Sequence, residues 1–111
     1  MPTRDAFTVL ADPTRRQILD LLRERDLMVS ELVGALRTAQ PNVSKHLKML
    51  GEAELVEARV DGPRRHYALA PEPLRELDLW LEPYRRTWAS RLDALEAHLD
   101  EMTDEQDSRG E

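Results

Sequence analysis

From Leu74 to Met102 apolar residues recur at steps of three and four: Leu74, Leu77, Leu81, Tyr84, Trp88, Leu92, Leu95, Leu99 and Met102. That spacing predicts one helical stripe about thirty residues long. A chain of 111 residues has a modest core, and a single small domain cannot easily cover so long a seam. Trp80 flanks the stripe and widens it. Packing within one subunit accounts for part of this surface. The rest is expected to meet its own copy across a two-fold axis, with the N-terminal helix added. The expected homodimer interface is therefore Phe7, Leu10, Leu77, Leu81, Tyr84, Trp88, Leu92 and Leu95. Pro83 interrupts the stripe and predicts a kink or a break into two helices. Thr103 to Glu111 carries no apolar anchor and reads as a disordered acidic tail, leaving residues 1–102 as one domain.

Composition removes several classes of function. The absence of cysteine excludes disulfides, thiolate metal sites and cysteine nucleophiles. Neither a signal-peptide run nor a membrane span is present, so a soluble cytoplasmic protein with no membrane partner is expected. The net charge of −6 argues at first against a nucleic-acid partner, but its distribution is uneven. Residues 1–36 carry −1, residues 37–70 carry +2 and residues 71–111 carry −7. With a screening length of roughly 8 Å at physiological salt, a local basic surface can act on DNA while a distant acidic region is screened.

The basic middle has a readable layout. Thr3 to Leu10 predicts a short first helix, and Asp12-Pro13 caps and starts a second that runs to about Arg25 with Ile18, Leu19, Leu21 and Leu22 on its buried face. Arg15 and Arg16 lie in its first turn, where the helix dipole disfavours cations, so an anionic partner or an internal carboxylate is expected beside them. Ser30-Glu31 opens a third helix with Leu32, Val33 and Leu36 inside. A turn of about four residues leads to Gln40–Leu50, QPNVSKHLKML. Pro41 suits a first helical position, and Val43, Leu47 and Leu50 form an apolar back. Pro41, Ser44, Lys45 and Lys48 form a basic, hydrogen-bonding front of the kind a helix lying in a DNA groove requires. By itself this pattern also fits a solvated amphipathic helix. Two short helices in this order make a helix-turn-helix, with a weak start at Ala39, which has no capping oxygen. Alternation then replaces the helical period from Val56 to Val60 and again at Tyr67 and Leu69. The intervening Asp61-Gly62-Pro63-Arg64-Arg65 predicts the turn of a β-hairpin, with a loop longer than two residues and Arg64 and Arg65 at or beside its tip. Those arginines read either as a solvated pair or as a grip on phosphates or a minor groove.

These segments resemble the ArsR/SmtB family of winged-helix transcriptional repressors from about Ala6 to Leu99. LADPTRRQILDLL (10–22), VSELVGAL (29–36), NVSKHLKML (42–50) and ARVDGPRRHYAL (58–69) are similar, in order, to its second helix, the first helix of its DNA-binding pair, its recognition helix and its wing. The ending, with Trp88, Arg91-Leu92-Asp93 and Leu95, resembles the SdpR-like branch, which lacks the thiolate metal site. The resemblance implies a mainly α fold with a small β-hairpin: a winged helix-turn-helix that dimerises through its N- and C-terminal helices and represses transcription from a double-stranded DNA operator. It puts Gln40, Asn42, Ser44, Lys45 and His46 at DNA-facing positions and Arg64 and Arg65 in the wing. Together with the residue pattern, this assigns backbone contacts to Lys45, Lys48, Arg64 and Arg65 and base reading to Gln40, Asn42 and Ser44. Half-sites are then expected to be pseudo-palindromic, with centres roughly 10 to 21 bp apart. Glu54 departs from the family, which usually has glycine there, and bears on the link to the wing.

No cofactor is expected. The family's cysteine positions fall among Val33, Gly34 and Ala35. His98 and Glu101 have the i, i+3 spacing of two oxygen and nitrogen ligands of a second family site, but the other pair, Asp-x-His, is missing about a dozen residues earlier. They read as surface residues, with a divalent metal there as the lesser alternative. His46 reads as a DNA-facing or helix-packing residue, and His66 as a hairpin surface residue. An enzyme finds no support, because Ser44 and His46 point about 200° apart around a helix. The competing class is an interaction module that keeps the fold without binding DNA. The effector is not readable from these residues.

Overall fold

A computed structural model describes residues 4–109, with side chains described as far as Asp104. The order is α1 (Ala6–Val9), α2 (Pro13–Glu24), β1 (Leu27–Met28), α3 (Val29–Leu36), α4 (Gln40–Glu52), β2 (Val56–Asp61), β3 (Arg64–Leu69) and α5 (Leu74–Arg109). Two compact units divide the chain, one up to Leu77 and one from Asp78 onward.

In the first unit, side chains from four segments meet in one core. Ile18 of α2, Leu32 of α3, Val43 and Leu50 of α4, and Leu55 before β2 are fully buried there. The three helix stripes read from sequence supply this core. α1 is a single turn, shorter than expected, closed by Asp5, whose carboxylate accepts from the Phe7 N–H at 3.0 Å. Asp12 caps α2 as its sequence predicts, accepting from Thr14 N–H at 2.8 Å and Arg15 N–H at 3.2 Å. Burial by itself raises the Asp12 carboxyl, but those N–H bonds and the nearby His46 and Arg15 charges outweigh it and hold the group below its usual 3.8. At α3, Glu31 accepts from the Met28 N–H at 3.0 Å.

Both short helices of the DNA-binding pair end on left-handed residues that are not glycine. Arg37, at φ +54°, closes α3, its N–H bonding to the Val33 carbonyl at 2.9 Å. After α4, Glu54 stands at φ +60°. Around it Leu55 N–H reaches the Leu50 carbonyl and Glu54 N–H the Gly51 carbonyl, each at 3.0 Å. This is the Schellman arrangement, with Leu50 and Leu55 supplying its buried apolar pair. The departure at Glu54 therefore leaves the turn into the wing in place, and the chain adopts at Glu54 a conformation that favours glycine.

The sheet is antiparallel in the order β1-β3-β2. β1 was not apparent from the sequence; its two residues, opposite Tyr67 and His66, are too few to show alternation. Asp61 pairs with Arg64, so the hairpin loop is two residues, not the longer one expected. Gly62 takes φ +60° and Pro63 is confined to negative φ by its ring, a combination that fits a type II′ turn. Only Val56 of β2 is buried, and Val60 is 75% exposed, so the alternation of β2 marks a projecting ribbon with little core beneath it.

In the second unit, the break expected at Pro83 does not occur: α5 runs unbroken to Arg109. Pro83 lacks the N–H that the Leu79 carbonyl would accept. Nearby, Arg85 donates to the Asp78 carbonyl and side chain at 2.8 and 2.7 Å and to Glu82 at 2.9 Å. Thr87 also donates to the Pro83 carbonyl at 3.1 Å, so polar side chains brace the turns on either side of the proline. The stretch from Thr103, expected to be disordered, is helical as far as Arg109, while Gly110 and Glu111 lie outside the described residues.

Two stability measurements check these local readings. Glu54→Gly is expected to raise the melting temperature, with a gain of about 0.5–1 kcal/mol, because it relieves the left-handed strain. The Asp12 contribution is present in full above the ordinary carboxyl value of 3.8 and is lost as pH falls from there through the lower folded value. The melting-temperature gap between wild type and Asp12→Ala should therefore be open at pH 7 and close on acidification towards pH 3.

Candidate nucleic-acid interface

Because Val43, Leu47 and Leu50 are buried, the opposite side of α4 faces outward. Gln40, Pro41, Asn42, Ser44, Lys45 and Lys48 are all exposed. Ala39, the N-cap, makes no side-chain bond to the helix, and Thr38 donates to the Leu36 carbonyl at 3.1 Å rather than capping α4.

The hairpin brings a second wall beside this helix. A cleft of about 320 Å³ has Ser44, Leu47 and Lys48 on the α4 side and Val56, Ala58, Arg65 and Tyr67 on the hairpin side. The Arg65 guanidinium carbon lies 5.5 Å from the centre of the Tyr67 ring, a cation–π contact between alternate residues on one face of β3. Sequence spacing alone could not join Ser44 and Lys48 to Arg65; the hairpin register does.

Ion pairs commit part of the cationic charge within the fold. Arg4, Arg23, Arg25, Arg59, Arg75, Arg85 and Arg86 each meet a carboxylate. Among the described residues, Lys45, Lys48, Arg64 and Arg65 enter no ion pair. Arg59 shows the contrast on the same hairpin. Its bond to Glu57 at 3.0 Å, with Asp26 at 3.3 Å, raises its pKa and commits its charge inside the fold. A cation surface left without internal partners is one that an external anion can neutralise.

His46 does not share the outward face. It is half-buried, and its Nδ1 lies 3.4 Å from the Arg15 guanidinium of α2, so its side chain takes part in helix packing rather than the exposed front. For Arg15 and Arg16 the expectation is an anionic partner or an internal carboxylate. Instead their guanidiniums donate to the Val9 and Leu10 carbonyls, each at 2.6 Å. Carbonyls at the end of α1 satisfy them, and the placement of two cations against the dipole was the sequence signal of that contact. His66 is half-buried, opposite Arg59 and Met28 in the sheet.

The seam residues fall in both units. In the first, Phe7, Leu10 and Leu77 are half-buried, and Leu10 packs on the core. In the second, Leu81 is half-buried while Tyr84, Trp88, Leu92 and Leu95 are 46–64% exposed. The Trp80 and Tyr84 rings lie 4.8 Å apart. His98 and Glu101 are exposed, and among the described residues no three His, Asp or Glu side chains gather as a metal site. No helix among them is long and apolar enough to cross a membrane.

Residues 12–58 match the family described as "Bacterial regulatory protein, arsR family". The transcriptional repressor SdpR of Bacillus subtilis is 31% identical over 77 residues, covering 69% of this chain and 86% of that protein. The HTH-type transcriptional regulator Rv2034 of Mycobacterium tuberculosis is 39% identical over 100 residues, covering 90% and 91%. Among solved structures, the ArsR family transcriptional regulator RHA00566 superposes with a TM-score of 0.64 at 32% identity, covering 75% of this chain and 91% of its own. The homodimeric winged helix-turn-helix DNA-binding domain Mb0332 of Mycobacterium bovis gives 0.57 at 32% identity, covering 71% and 73%. With helix pair, recognition helix and wing all matched, the chain belongs to the ArsR family of bacterial regulatory proteins.

Proposed function

We propose that this chain is a transcriptional repressor that binds a pseudo-palindromic DNA operator as a homodimer. The observation that carries the reading is the cleft in which Ser44 and Lys48 of α4 face Arg65 of the hairpin, with neither cation in an ion pair among the described residues. Lys45, Lys48, Arg64 and Arg65 contact the phosphate backbone, and Gln40, Asn42 and Ser44 read base edges from the exposed face of α4. Two copies are required because the exposed aromatic and leucine seam of α5 needs a partner and because a two-fold protein imposes its symmetry on the DNA. The reading needs no cofactor.

Binding to the protein's own upstream region, followed by gel shift over a salt series, tests this function. Log affinity should fall steeply with log salt, and Lys48→Ala or Arg65→Ala should each flatten the slope by about one unit. Asn42→Ala should narrow the preference for the operator over other duplexes and leave the slope intact. A protein that shifts no duplex at low salt is an interaction module instead. Trp88→Glu should convert the dimer to a monomer in sedimentation and weaken operator binding with it; a Trp88→Glu dimer as stable as wild type would remove the seam from the interface.

A further inference from the structure

Arg15 joins three helices through one half-buried side chain. Its Nε–H donates to the Val9 carbonyl at the end of α1 at 2.6 Å. On the other side, one terminal nitrogen meets two side chains of α4: Nδ1 of His46 at 3.4 Å and the Met49 sulfur at 3.0 Å. Arginine can only donate, and an imidazole nitrogen and a thioether sulfur can each offer it a lone pair. The same N-terminal segment is tied to the far end of α4. There Arg4 pairs with the Glu52 carboxylate, and its N–H donates to the Glu52 carbonyl at 3.3 Å. The N-terminal segment thus holds α4 near its middle and at its C-terminal end, while the N-terminal end of α4 has no side-chain cap.

We infer that Arg15 is a positioning residue for DNA reading, holding α4 at a fixed presentation by pinning it to the end of α1. The inference rests on the DNA-binding reading above. Arg15 is turned inward onto a carbonyl, a ring nitrogen and a sulfur, so its charge does not serve as a phosphate contact. A lysine would keep the charge, but its compact head cannot span these three acceptors with a planar fork. Base reading depends on α4 placement to within hydrogen-bond tolerance, whereas non-specific attraction depends on charge alone. Loosening the pin should therefore lower operator affinity and leave non-specific affinity unchanged.

The test compares wild type, Arg15→Met, Arg15→Lys and the double variant His46→Phe/Met49→Leu on the upstream fragment and on a random duplex of equal length over a salt series. The double variant cuts the pin on the α4 side only and leaves the Arg15 bond to Val9; it decides the matter if Arg15→Met does not fold. All folded variants should dimerise as wild type does and lose about tenfold in operator affinity. Their random-duplex affinity and salt slope should remain those of wild type. Unchanged discrimination in the folded variants would overturn the inference while leaving the DNA-binding reading intact. Equal losses on both duplexes with a slope flatter by about one unit would also overturn it, by making Arg15 a phosphate contact. A wild-type protein that shifts neither duplex removes the DNA-binding reading, and the inference with it.

Discussion

Burial of the Val43, Leu47 and Leu50 stripe is the constraint on which the rest of the first unit depends. Those side chains share a core with Ile18 and Leu32, and their burial sets which face of α4 the solvent meets. Apolar area removed from water contributes roughly 25 cal/mol per Å², so a rotation of α4 that exposed the stripe would cost several kcal/mol. Ser44, Lys45 and Lys48 are exposed because their neighbours along the helix cannot be. The Leu50–Leu55 pair then turns the chain out of the same core and into the hairpin, which sets Arg65 across from Lys48.

Charge is organised on the same scaffold. The arginines that brace the fold are consumed by carboxylates or by backbone carbonyls, as at Arg59 and Arg16. The cations on α4 and at the hairpin tip are left to solvent. Net acidity and a cationic interface coexist because the acidic residues are concentrated in α5, beyond the segment that carries Lys45, Lys48, Arg64 and Arg65.

Periodicity made most of this legible in the sequence. The three stripes, the Asp12 cap, the weak cap at Ala39 and the hairpin all follow from local patterns, and the repeated seam of α5 is where its helix runs. What was hidden depended on partners distant in sequence or on segments too short to show a period. β1 has two residues, and only pairing with β3 makes it a strand. For His46 the sequence left a DNA-facing and a helix-packing role open, and its partner Arg15, 31 residues away, could not be read from local pattern. At Pro83 the ring predicts a kink or a break, and that the helix does not break in two goes with bracing by Arg85 and Thr87, which depends on side-chain geometry.

The two-residue turn at Gly62-Pro63 has a consequence for how this hairpin can vary. Side chains alternate faces along a strand, so Arg65 shares a face with Tyr67 and Arg64 takes the other. Adding one residue to the turn would shift the strand by one position and exchange the two arginines between cleft and outer face. Pro63 also limits the freedom the tip would otherwise lose when it meets a ligand. The loop thus acts as a fixed gauge: sequence around it can drift, but its length cannot.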